Sequence, residues 1–356
     1  MTAEPNAPHR DPDDRSSATT AAAHFAGLTP DVVLDALAAV GFPGDGRLTQ
    51  LNSFENRVFQ VMLDDGSVVV TKFYRPARWS DEQIAEEHSF SQEALAAEVP
   101  VVAPLPLGEP VQDSRVRRSP CAPHTLAHWH STAGHWRFAV WPRRAGRTPE
   151  LEDEQVLQRL GATLGLLHRV GQRHRFEHRH SLDPLVDARS AVKTLLDGEH
   201  LPPDQVATWA ATCEAVLQRI AAHAADTRVL TLRLHGDCHP GNLLWRDERP
   251  NLVDLDDACN GPAVQDLWML LSGDPAEASR QMQALLAGYE QVRPFDRREL
   301  SLITPLRLYR LLRHNAWIAH RWADPAFPLA YPHFGSSSYW AQQSMQLREL
   351  LNSADA

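Results

Sequence analysis

Lysine is nearly absent: of 35 lysine and arginine residues, only Lys72 and Lys193 are lysines. Under so strong a bias toward arginine, each surviving lysine calls for an explanation. Cysteine is also sparse, and Cys121, Cys213, Cys238 and Cys259 form no C-x-x-C pair. That excludes a zinc ribbon and a disulfide framework, and it fits a reducing, cytoplasmic setting. No run approaches the roughly 18 apolar residues of a membrane span, and the N-terminus lacks the basic region and apolar core of a signal peptide. The expectation is a soluble monomer with no membrane partner. Positive charge is in deficit too, since 45 acidic residues leave a formal charge of -10. A broad nucleic-acid surface is therefore not expected.

What is present is ordinary for a globular enzyme: 356 residues, 43% hydrophobic and 22% charged, enough for about two domains. Residues 1–25 are rich in Asp, Pro, Ser, Thr and Ala and read as a disordered tail. Thr29 and Pro30 can cap and start a helix whose apolar face is Val33, Leu37 and Val40. The β-rich runs 57–63 and 67–73 flank Asp65-Gly66, a hairpin turn dipeptide, and Lys72 lies near the far end. Ser80 caps a helix reaching about Ala97, and Val99 to Pro106 must be extended. Trp136 to Pro142 reads as a strand stopped by proline. Beyond it, helices are expected at 152–168, 204–224, 275–291, 297–323 and 337–352, interrupted by short β signals at 229–234, 243–245 and 251–256. The expected organisation is thus α+β and bilobal: a small β-rich N-lobe over 26–142 and a larger, mainly helical C-lobe over 143–356.

The chemistry concentrates in His235-Gly236-Asp237-Cys238-His239-Pro240-Gly241-Asn242, followed by an apolar hairpin pattern ending in Val253-Asp254-Leu255-Asp256-Asp257. In phosphoryl-transfer enzymes a carboxylate that accepts the hydroxyl proton precedes a metal-binding Asn by five positions, the spacing of Asp237 and Asn242. If 243–245 and 251–253 pair about a turn centred near Glu248, Asn242 and Asp254 are cross-strand neighbours and two oxygen ligands converge. In an extended segment Asp256 would face the same side as a reserve ligand. His235, Cys238 and His239 only loosely imitate transition-metal spacing, and His235 reads better as a structural group holding the loop. The run containing His168, His174, His178 and His180 reads as a solvated, arginine-rich connection.

The N-terminal half offers the complement. Lys72 ends the run Val68-Val69-Val70-Thr71, like the strand lysine that reaches nucleotide phosphates. A helical glutamate should hold it, and Glu86 and Glu87 are both available, with Glu87 favoured. The turn Asn52 to Asn56 stands where a phosphate-covering loop would sit but contains no G-x-G-x-x-G, so Ser53 and backbone amides would serve.

The blocks Leu51 to Val58, Lys72 to Pro76, His235 to Trp245, Val253 to Ala258 and Asn260 to Trp268 resemble the aminoglycoside phosphotransferase and choline kinase branch of the protein-kinase-like fold, over residues 28 to 350. Within that branch the match is to bacterial serine/threonine protein kinases. The resemblance implies ATP as co-substrate, bound between the lobes, with Mg²⁺, and phosphate transfer to serine or threonine of protein partners. By position it implies catalytic roles for Asp237 and Asp254, Mg²⁺ ligation by Asn242 and Asp254 with Asp256 in reserve, and nucleotide contacts from Ser53, Lys72 and Glu87. It implies a hinge along Phe138 to Pro142, with Val140 and Pro142 offering main-chain groups to adenine, and a structural Asp266. No A-P-E segment follows Asp254, so activation-loop regulation is not expected. The alternative acceptor is a cationic alcohol of the aminoglycoside, choline or homoserine type, attracted by the net charge and the Asp256-Asp257 pair.

Overall fold

The computed structural model describes residues 25–108, 113–226 and 229–353. The expected tail lies outside them except for Phe25, whose ring carries the Arg57 guanidinium at 4.6 Å. The first helix, α1 (Pro30–Ala38), starts as its cap predicts, with Thr29 Oγ1 accepting the Val32 amide. The strands β1 (Gly44–Leu51), β2 (Arg57–Leu63) and β3 (Val68–Phe73) follow, then α2 (Asp81–Ala96), β4 (Val116–Arg118), β5 (Ala127–Ser131) and β6 (Gly134–Pro142). The β strands form one antiparallel sheet in the order β1-β2-β3-β6-β5-β4. Gly66 takes φ +83° at the β2–β3 turn, the positive value that its dipeptide foretold. Strands β1, β4 and β5 were not anticipated, being short or built from polar and histidine-rich residues.

Alternation along the strands divides the sheet into two faces. Phe59, Val61, Val69, Phe73, Phe138 and Val140 pack with Val33 and Leu37 of α1. Lys72, Ala139 and Trp141 occupy the opposite face, and Ala139 joins Tyr74, Leu126 and Ile84 of α2 in a smaller core. Ser80 and Gln83 form a reciprocal capping box that fixes the start of α2.

The C-lobe comprises α3 (Glu154–Gly171), α4 (Pro184–Asp197), α5 (Pro203–Asp226), β7 (Leu232–Leu234), β8 (Leu243–Arg246), β9 (Arg249–Leu252), β10 (Cys259–Gly261), α6 (Val264–Trp268), α7 (Pro275–Tyr289), α8 (Ile303–Arg321), α9 (Ala326–Ala330) and α10 (Ser337–Asn352). Helices α3 and α7 meet backbone to backbone: a Cβ on Gly161 would lie 1.9 Å from the Leu285 carbonyl oxygen. A second core joins α4, α5, α8 and α10 around Trp209 and Trp340, whose rings are 4.7 Å apart. The helix expected over 297–323 divides into a 3₁₀ segment, Arg297–Leu302, and α8. Among the described residues no helix is long and apolar enough to cross a membrane. The architecture is the expected one, a six-stranded sheet lobe beside a helical lobe.

Candidate active site

The loop from His235 to Asn242 leaves β7 and enters β8, and its backbone is held from beneath. Asp266, completely buried on α6, accepts the amides of His235 and Gly236, both at 2.8 Å, and the Nε2–H of His168 at 3.0 Å. Gly236 is obligatory here: its φ is +82°, and a Cβ would sit 2.2 Å from the Asp257 carbonyl oxygen. His235 Nε2–H donates to the Val253 carbonyl at 2.9 Å, so the histidine ties this loop to the segment carrying Asp254. His168 is buried and also meets the Tyr289 hydroxyl at 2.9 Å, so it belongs to this support and not to a solvated connection. Burial pulls its pKa down despite the Asp266 partner.

Held in this way, Asp237 presents a partly exposed carboxylate. Arg310 of α8 donates to its Oδ1 at 2.8 Å, and His239 Nε2 stands 3.6 Å from Oδ2. Asn242 donates its Nδ2 to the Asp237 carbonyl at 2.9 Å, which commits the nitrogen and leaves the amide oxygen as its free end. Cys238 is buried, and burial raises its thiol pKa well above the ordinary value. Among the described residues, His235, Cys238 and His239 do not converge as metal ligands.

The hairpin register differs by one residue from the expectation. Leu243 pairs with Leu252, so Asn242 faces Val253 and bonds its amide at 3.1 Å. The reason is a two-residue turn, Asp247-Glu248, with both φ angles positive (49° and 56°). Strand β9 ends at Leu252, and Asp254 adopts φ 59°, ψ 64° before a 3₁₀ turn over Leu255–Asp257. The extended-chain argument for Asp256 therefore fails. A left-handed aspartate is uncommon and typical of functional turns.

That turn delivers Asp254 to Lys72: Nζ lies 2.6 Å from Asp254 Oδ1 and 3.7 Å from Asp256 Oδ1. The Asp254 side chain remains 50% exposed, whereas that of Lys72 is 9% exposed. Burial depresses the Lys72 pKa, but Asp254, Asp256 and Glu87 outweigh it and leave the ammonium above its ordinary value. Asp256 is instead bound through Oδ2 to Arg78 (2.5 Å) and Asn56 Nδ2 (3.1 Å), while its buried Oδ1 has no hydrogen-bond partner. Asp257 is divided between Arg78 (3.1 Å) and Arg313 (3.0 Å). Guanidinium groups thus engage both oxygens of Asp257, whereas Asp256 keeps one oxygen open on the Lys72 side.

The expected Lys72–Glu87 ion pair is not formed. Glu87 faces the lysine but has no ion pair with it, and its buried Oε2 lacks a hydrogen-bond partner. Burial pushes its pKa up to about 7 against the pull of Lys72 and Arg179. Glu86 points elsewhere and accepts the amides of Glu177, His178 and Arg179 at 2.6, 3.0 and 2.9 Å. Arg179 is itself buried, bonding the carbonyls of Asp256 and Ala258 and that of Gln83 on α2, so residues 177–179 clamp the lobes together.

Ser53 lies in the β1–β2 turn, where its Oγ accepts the Asn56 amide at 3.3 Å. The same turn is docked on the C-lobe: Glu55 receives Trp317 and Arg321 of α8, and Phe54 packs on Trp317, Phe327 and Tyr331. Of Val140, expected to offer main-chain groups to adenine, the carbonyl accepts the Leu105 amide at 2.7 Å and the side chain lies on the α1 face. Pro142 ends β6 and has only a carbonyl to offer. Trp141, by contrast, lies on the Lys72 face with Nζ 5.2 Å from its ring centre. Trp141, Asn56, Arg78 and Arg310 were missed. The three polar residues have partners 73 to 200 positions away, so no local spacing marks them, although strand alternation from Lys72 and its partner Ala139 could have found Trp141.

Comparisons with known proteins bear on the family and the fold. A family described as the phosphotransferase enzyme family matches residues 47–303. Stress response kinase A of Escherichia coli strain K12 is 40% identical over 90% of this chain and 92% of its own length. The serine/threonine protein kinase RdoA of Salmonella typhimurium matches with the same identity and coverage. Among solved structures, the amicoumacin kinase hAmiN in complex with AMP-PNP, Ca²⁺ and Ami superposes with a TM-score of 0.67 at 20% identity, covering 90% of this chain and 93% of that one. A microcompartment-associated aminopropanol kinase gives 0.63 at 17% identity over 91% and 95%.

Proposed function

Because the chain belongs to the phosphotransferase enzyme family, we propose that it uses ATP and Mg²⁺ to phosphorylate serine and threonine hydroxyls of proteins in a bacterial stress response. The observation that carries this reading is the 2.6 Å contact between Lys72 of the sheet lobe and Asp254 of the helical lobe, which brings the two halves of a phosphoryl-transfer site together. The relatives named as stress response kinase and serine/threonine protein kinase support the protein acceptor.

The donor set suits a hard divalent cation: the half-exposed Asp254 carboxylate, the free amide oxygen of Asn242, and the unpartnered Asp256 Oδ1 nearby. Asp254 and Asn242 would hold Mg²⁺, with Asp256 limited to one oxygen by its Arg78 bond. When bound, the ion supplies neutralisation of phosphate charge. Lys72 would exchange its Asp254 contact for phosphate oxygens. Asp237 would accept the proton of the incoming hydroxyl, through Oδ2, because Arg310 occupies Oδ1. Asp266 and His235 keep that carboxylate in register without touching substrate.

The structural neighbours named as an amicoumacin kinase and an aminopropanol kinase keep a small-molecule acceptor in view. The guanidinium of Arg310 on Asp237 argues against a cationic one. Incubating the protein with labelled ATP and Mg²⁺, with generic protein substrates in one set and aminoglycosides, choline and homoserine in another, tests the reading. Label on protein, including self-labelling, is expected. Label confined to a small alcohol would overturn it.

A further inference from the structure

Strands β5 and β6 carry the patterns His128-Trp129-His130 and His135-Trp136 on either side of the two-residue turn Thr132-Ala133. In the antiparallel register His130 pairs with His135 and Trp129 with Trp136. Both tryptophans are buried in the α1-side core. All three histidines consequently share the other face, because side chains alternate along a strand. His128 and His130 are half-buried and His135 is exposed.

The imidazoles converge. One nitrogen from each ring lies within 4.8 Å of those of the other two. His130 and His135 stack with centroids 3.9 Å apart, and His128 Nδ1 is 3.2 Å from His135 Nε2. Two nitrogens bound to one tetrahedral ion at about 2.0–2.1 Å each stand about 3.3 Å apart. The pair is therefore already at the spacing of two ligands. His128 is also oriented: its Nε2–H donates to Asp81 Oδ2 at 2.6 Å, which leaves the Nδ1 lone pair facing His135. A carboxylate on the far nitrogen of an imidazole is the arrangement that fixes ring and tautomer in metal-ligating histidines. Asp81 is held in turn by Ser119 and Arg137.

We propose that His128, His130 and His135 form a site for a divalent transition metal of the zinc class, with Asp81 as the group that orients His128 and a fourth coordination position open to solvent. Three imidazoles favour Zn²⁺, Co²⁺, Ni²⁺ or Cu²⁺ and discriminate against Mg²⁺, which prefers oxygen. This site is therefore chemically distinct from the oxygen cluster at Asp254, and it does not depend on the proposed function.

The test uses untagged full-length protein stripped with a chelator. Titration with Zn²⁺ alone, followed by calorimetry and elemental analysis, is expected to give one bound ion per chain, undisturbed by millimolar Mg²⁺. Co²⁺ should give the visible bands of a four-coordinate nitrogen site. His135→Ala, at an exposed position, and His130→Ala should each abolish stoichiometric binding. Asp81→Asn should weaken it about 10- to 100-fold. Circular dichroism of the metal-free variants identifies any that fail to fold, and His135→Ala, which removes no buried group, carries the test if the others do. Absence of Zn²⁺ binding, or binding that survives in folded His135→Ala, would overturn the proposal.

Discussion

Asp256 and Asp266 are both nearly inaccessible carboxylates on the same stretch of chain, yet they are satisfied in opposite ways. Asp266 fills both oxygens with two backbone amides and an imidazole, all from the C-lobe. Asp256 spends one oxygen on Arg78 and Asn56 of the N-lobe and leaves the other without a hydrogen bond, 3.7 Å from Lys72. Glu87, which feels the Lys72 charge, repeats the pattern with an unpartnered Oε2. A fully paired buried network fixes geometry, whereas buried oxygens left open mark a place where charge is still to arrive. Rigid support and receptive site are thus separated: the first positions Asp237, the second surrounds Lys72 and Asp254.

That contrast can be broken most sharply at Asp237. Asp237→Ala should lower turnover by about 10² to 10⁴-fold with little change in the unfolding midpoint, since the group is partly exposed and its chief partner, Arg310, is solvent-accessible. Near-normal phosphotransfer in this variant would remove Asp237 from the chemistry. Asp266→Ala should cost roughly 3–5 kcal/mol in a urea titration because buried donors are left unpaired, and turnover should fall with the lost support of Asp237. A loss of activity without loss of stability would show that Asp266 is more than a support.

Glu87 tests the receptive side through pH. Its folded pKa of about 7 lies above the ordinary value of 4.5, so the native state holds the proton more tightly than the unfolded chain. The stability it contributes is full below about 4.5 and is lost as pH rises through about 7, by up to roughly 3 kcal/mol. Glu87→Gln should flatten that decline in denaturation curves measured from pH 5 to 8. An unchanged slope would mean that another group carries it. The smallest effect concerns Asp254. Mg-ATP at a hundred times its dissociation constant should stabilise the wild type by about 2.7 kcal/mol. Asp254→Ala should lose this increment in a thermal-shift assay, and undiminished stabilisation would exclude Asp254 from the nucleotide site.

Several features were legible because their cause is local. The Ser80 cap, the Asp65-Gly66 turn and the apolar face of α3 depend on residues within a few positions, and each appears where it was expected. Asp266, expected to be structural, bonds the amides of His235 and Gly236. The hairpin register shifted by one because Asp247 and Glu248 accept positive φ without glycine, a choice that composition does not signal. Strand β5 and helix α4 were not anticipated. The face on which Val140 lies was decided by pairing with β3, not by its apolar character.

The amino acids alone determined the two-lobe plan, the lysine worth explaining and the aspartates that the proposed reaction would use, because these rest on short spacings and on the chemistry of single side chains. Tertiary structure alone decided that Glu86 clamps a C-lobe loop while Glu87 faces Lys72, that Arg78 and Arg313 engage the Asp256-Asp257 pair, and that three histidines of a hairpin meet. The physical reason is that burial sets the strength of these charges and selects their partners. Neighbouring glutamates on a helix point about 100° apart, and the groups that neutralise a buried aspartate arrive from elements far away in the chain.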